Sequence, residues 1–215
     1  MKKIVTKPLL KAGRPKNPLT KEKVIEIASA IFGKQGFHGA SLDDIAAAAG
    51  IRRASLLHHF NSKKALYNAV LLDVSNDLKG FITNAGITGG DFKAALDDLG
   101  SRIVTYLGRR PGAAMLLVRE LVDNGPYFKG RGSDIVQQIL EVTTAFLKAG
   151  MDAGEFRSQN PRQLALSIVG IHLYYFSTVS STSRFMGKEA FSEAGVQTRM
   201  SEVLSHVRML CLPGN

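Results

Sequence analysis

The stretch "SLDDIAAAAGIRRASLLHHF" (41–60) limits the fold more than any other part of the chain. One glycine there joins two short apolar-periodic segments. Ser41 offers an N-cap, and Leu42, Ile45, Ala46 and Ala49 share one apolar face. Gly50 supplies the left-handed residue that a tight turn needs. A second helix, from about Ile51 to Phe60, carries Arg52, Arg53, His58 and His59. Helix, glycine turn and short basic helix make a helix-turn-helix, whose second helix enters the major groove while the first braces it across the backbone. Only the N-terminal turns of the second helix reach base edges, so a short one suffices.

The flanks extend this head. Thr20 caps an amphipathic helix with Val24, Ile27, Ala28, Ile31 and Phe32 at helical spacing, predicted to stop near Gly36. Ser62 caps a fourth helix that runs through Leu66, Val70 and Val74 towards Phe81. Beyond "NAGITGG" (84–90), helical segments are predicted at about 91–109, 112–124, 133–150, 161–184 and 190–211. No stretch alternates cleanly enough for a strand. The expected fold is all-α, with about nine helices. An N-terminal three-helix helix-turn-helix head, within residues 20–80, is followed by a larger helical domain over 81–215. Residues 1–19, basic and proline-containing, read as a disordered arm.

Charge points the same way. Residues 1–79 hold fourteen Lys/Arg against six Asp/Glu, whereas the remainder holds fourteen against twelve. A polyanion should therefore meet the N-terminal third. Arg52 and Arg53 stand where a guanidinium pairs with guanine O6 and N7, and Ser41 and Lys63 where phosphates pass. In the arm, "AGRPK" (12–16) is similar to the Gly-Arg-Pro core that lies in A·T minor grooves.

"FGKQGFHGASLDDIAAAAGIRRASLLHHFNSKKALYNAV" resembles the DNA-binding head of the TetR family of bacterial transcriptional regulators. The elements that match are Phe32, Gly36-Phe37, Ser41, Ile45-Ala46-Ala49-Gly50, Leu56-His58-His59-Phe60 and Lys63-Leu66, in order and at the family's spacing over roughly residues 20–80. Leu57 stands where the family often has Tyr, and Ala54 replaces a common glycine. The resemblance implies base-edge roles for Arg52, Arg53 and Ser55. It implies phosphate or backbone roles for Ser41, His58, His59 and Lys63, with Ile51, Leu56 and Phe60 in the core.

The resemblance also implies a palindromic double-stranded DNA operator as partner and a homodimer built on the last two long helices. It further implies release by a small-molecule effector held in the larger domain, as in a repressor. Asn160 and Pro161 open a helix of roughly 25 residues, near 37 Å long. Its two apolar stripes require burial on two sides. Ile168, Ile171 and Tyr175, with Val203 and Val207 on the final helix, are the residues expected to face the partner. Arg119 and His172 are the candidate effector-binding residues, and Asp123 and Tyr175 also lie as polar groups in apolar helices.

Other chemistries find little support. Adjacent histidines on a helix point about 100° apart and do not share one ion, so no metal site is expected. No nucleophile elbow, phosphate loop, dinucleotide fingerprint or HExxH is present, and no cofactor is expected. Cys211 is the sole cysteine and lies four residues from the end. It suits a reducing cytoplasm and no catalytic thiol. The most apolar run, 164–179, contains His172 and serines and reads as buried helix, not a membrane span. The alternatives are an activator, a regulator without a small ligand, and a helical enzyme with an incidental basic head.

Overall fold

The computed structural model describes residues 20–85, 91–122, 135–186 and 190–213. The arm and Asp123 lie outside these residues. Nine helices and no strand occur among them. They are α1 (Lys21–Gly39), α2 (Leu42–Ala48), α3 (Arg53–His59), α4 (Lys63–Thr83), α5 (Phe92–Arg109), α6 (Pro111–Val122), α7 (Ile135–Asp152), α8 (Pro161–Met186) and α9 (Glu193–Cys211).

Local signals set most boundaries. Thr20, Ser41, Ser62 and Ser192 each accept a backbone N–H of the helix they open. Asn160 Oδ1 accepts from the backbone N–H groups of Arg162 and Gln163, with Pro161 in the first helical position. One boundary differs from expectation. α1 breaks its helical angles at Gly36 (φ 71°, ψ 176°) yet runs on to Gly39.

α1 packs on α4 and, more extensively, on α6, so the head rests directly on the body. The body sets α7 and α6 against α8, α4 against α7, and α5 against α9. These pairings correct the expected partner face. Val203 and Val207 are 0% and 2% exposed, Ile168 and Tyr175 are buried, and Ile171 is half-buried, all within the one chain. The solvent-facing apolar side chains on the last two helices are instead Leu166, Tyr174, Phe185 and Met209. A helical period reveals that two arcs are apolar, but not which arc a neighbouring helix fills.

Candidate nucleic-acid interface

The turn between α2 and α3 is closed by backbone alone. Gly50, at φ 65°, donates its N–H to the Ala47 carbonyl, and Ile51 donates to Ala46. This paired capping pattern needs a left-handed residue after the helix. Nothing lies within 4 Å of where a Gly50 Cβ would stand, so the backbone angle and not space calls for glycine. α3 is then anchored by Leu56 (0% exposed) and Phe60 (4%). With those two side chains inside, Arg52, Arg53, Ser55, His58 and His59 are all exposed.

These exposed residues differ in freedom. Arg52 is the N-cap of α3, and among the described residues no hydrogen bond or ion pair involves its side chain. Arg53 is held by Asp43 of α2, Nη1 to Oδ2 at 2.6 Å, with both side chains more than half exposed. Such a pair contributes about 1 kcal/mol at most, so a base or phosphate can displace the carboxylate. His58 and His59 lie in the last turn with ring centroids 6.0 Å apart.

Two of the expected phosphate groups have structural work. The Ser41 hydroxyl accepts from the Asp44 N–H at 3.0 Å. Lys63 donates to the His38 carbonyl at 3.2 Å, and its ammonium stands 4.7 Å from the Phe37 ring centroid. Lys64, beside it, is exposed. Sequence reasoning passed over it because two adjacent lysines look alike until one is turned inward.

The structure does not bring Arg119 and His172 together. Arg119 lies under the head, where its guanidinium faces Gly36. His172 is buried in the body and lines an apolar cavity of about 60 Å³. Leu78 and Ile82 of α4, Leu99 of α5, Leu117 of α6 and Ile139 of α7 also border this cavity. Tyr175 lies outside it, beneath the Arg199 guanidinium at 4.5 Å. Cys211 is fully buried, and burial pushes its thiol up to about 12.

Burial brings the His172 imidazole down to about 4, against a hydrogen bond to the Ile168 carbonyl and with the Arg199 charge adding to the fall. It is therefore neutral in the folded chain near pH 7. Between pH 6.5 and 4 the unfolded chain takes up a proton that the folded chain refuses, so this contribution to stability is lost as pH falls through that window. Wild type should lose about 2 kcal/mol more than His172→Phe between pH 7 and pH 5. Urea unfolding of both proteins at the two pH values measures this, and equal losses would refute it.

Comparison with known proteins agrees with this geometry. The sequence model described as bacterial regulatory proteins, tetR family, matches residues 24–70. That described as tetracyclin repressor-like, C-terminal domain, matches residues 93–207. The chain is 30% identical over 146 residues to the HTH-type transcriptional repressor KstR2 of Rhodococcus jostii (strain RHA1), covering 66% of this chain and 71% of that protein. It is 47% identical over 47 residues to IcaR, a negative transcriptional regulator of the biofilm operon icaADBC in Staphylococcus aureus, which is 22% of this chain and 25% of IcaR. The crystal structure of PfmR, a TetR family regulator from Thermus thermophilus, shares the fold with a TM-score of 0.66 at 18% identity, over 86% of this chain and 97% of PfmR. With both halves matched and the helix-turn-helix in place, the chain belongs to the TetR family and is a DNA-binding transcriptional regulator.

Proposed function

We propose that the protein is a cytoplasmic repressor that binds a palindromic operator as a homodimer and is released by a small molecule entering the body cavity. The repressing sign is supported by the relatives named above, a repressor and a negative regulator. A general argument supports the dimer. One short recognition helix holds a single half-site weakly, and two heads on one two-fold axis make the second contact intramolecular. The exposed apolar side chains of α8, Leu166 and Tyr174, are where a second copy finds its contact.

The observation that supports ligand control best is the position of α6. Leu117 borders the cavity, while Glu120 accepts a buried hydrogen bond from Tyr67 of α4 at 3.0 Å. Gly112 meets α1 backbone to backbone, and Arg119 covers Gly36. One rigid helix thus touches the cavity and both long helices of the head. α4 is further fastened to the α5–α6 joint, because Arg110 donates to Asp73 at 2.7 Å and to Asp77 at 3.1 Å. A molecule that enlarges the cavity presses on Leu78, Ile82 and Leu117, and so on the spacing of the heads. Its effect is limited to its differential affinity for the two spacings.

Base reading is assigned to Arg52 and Arg53, with Ser55 beside them. Arg52→Ala and Arg53→Ala should each cost about 1–3 kcal/mol on the cognate site and relax preference at one or two base pairs. Footprinting on genomic DNA supplies the operator, and competition binding against single-base variants of it reads the preference. If both variants keep the full wild-type preference, α3 does not read bases through its arginines.

A further inference from the structure

We infer that the cavity takes a small, uncharged and largely apolar effector whose polar group is a hydrogen-bond donor, a hydroxyl or N–H, received by Nε2 of His172. This rests on the reading above that the cavity is the effector site. The cavity wall contains two polar side chains, Thr143 and His172, and no charged one among the described residues. Both have already committed their protons. Thr143 Oγ1 donates to the Ile139 carbonyl at 2.7 Å. His172 Nδ1 lies 2.8 Å from the Ile168 carbonyl, an acceptor, so Nδ1 carries the hydrogen.

Nε2 is then a bare lone pair on the opposite side of the ring. It is buried and has no hydrogen-bond partner among the described residues. A second proton would make a cation in an apolar wall with no carboxylate in it, which is strongly disfavoured. Among the described residues the cavity therefore presents acceptors and no donor. A carboxylate or phosphate would find nothing to receive it, and its charge would be stripped of water. A hydroxyl or N–H would satisfy the one orphaned atom of the wall, whose desolvation is already complete.

Size narrows the class further. At about 60 Å³ the unliganded cavity is well below the ~150 Å³ that admits a benzene ring, so a short aliphatic body enters with less enlargement than a ring requires.

The full chain, labelled with ¹⁵N-histidine, tests this with butan-1-ol, 1-fluorobutane and butyrate, which share a short chain and differ in head group. The free protein should show a protonated Nδ1 and a pyridine-type Nε2 at His172. Butan-1-ol should bind about tenfold more tightly than 1-fluorobutane and shift Nε2 towards the hydrogen-bonded position. Butyrate should not bind. In His172→Phe the preference for the alcohol should vanish, and the wild-type Nε2 response stands on its own if that variant fails to fold. A proton on Nε2 in the free protein, butyrate binding as tightly as butan-1-ol, or no binding of any of the three at high millimolar concentration overturns the inference. Butan-1-ol that binds with the Nε2 shift but leaves operator affinity unchanged upholds the chemistry of the cavity and refutes ligand release instead.

Discussion

Gly112→Ala is expected to destabilise the chain by about 3 kcal/mol, the upper part of the range for overpacking. α1 and α6 cross with their backbones in contact. A Cβ on Gly112 would run into the Ser29 carbonyl and the Ala30 Cα, and one on Gly33 would stand 2.7 Å from the Gly112 carbonyl oxygen. None of these obstacles is the movable end of a side chain, so two helices must separate and the contacts of Phe32 and Ala113 beside them loosen. For a chain of this length the loss corresponds to a fall in Tm of roughly 6–12 °C. Gly80→Ala is the control. It lies within α4 with only the tip of Asn84 near, at 4.0 Å, and should be neutral or stabilising by up to about 1 kcal/mol. Thermal unfolding at one fixed protein concentration compares them, since the proposed dimerisation would make Tm concentration-dependent. If Gly112→Ala melts with wild type, the head does not rest on α6 as closely as described.

The second large effect separates the partner face from the core. Tyr174→Asp puts a carboxylate on a position that is 69% exposed in the single chain and covered in the proposed dimer. The charge is solvated in a monomer and stranded in the dimer, so association should weaken by several kcal/mol. Operator affinity should then fall by about two orders of magnitude or more, because the second half-site contact is no longer intramolecular. Val203→Asp places the same charge at a position with no exposure at all, on a helix packed mainly against α5. There the cost falls on the chain itself and is a large part of a total stability of about 5–15 kcal/mol. Tyr174→Asp should remain helical and monomeric, whereas Val203→Asp should lose its fold. Sedimentation equilibrium with circular dichroism decides both. A Tyr174→Asp protein that stays dimeric excludes this face of α8, and a folded Val203→Asp protein contradicts the packing of α9.

What the sequence determined by itself was most of what acts within about four residues along the chain, the run of α1 past Gly36 excepted. Capping serines, threonine and asparagine, the left-handed Gly50 and the 3.6-residue period placed all nine helices to within a few residues and identified the helix-turn-helix. Those signals are legible because a cap bond or a helical turn involves only neighbours in sequence. The tertiary structure decided matters between residues far apart. It turned Val203 and Val207 inward, because α5 lies on that side of α9. It tied Arg53 to Asp43 while leaving Arg52 with no partner among the described residues, and engaged Lys63 at the end of α1 while leaving Lys64 exposed. It also separated Arg119 from His172, sending one to the head joint and the other to the cavity. Two apolar arcs on a helix look identical in sequence, and two adjacent cations do as well. Only the neighbour that removes water from one of them, or offers it an acceptor, breaks that equivalence.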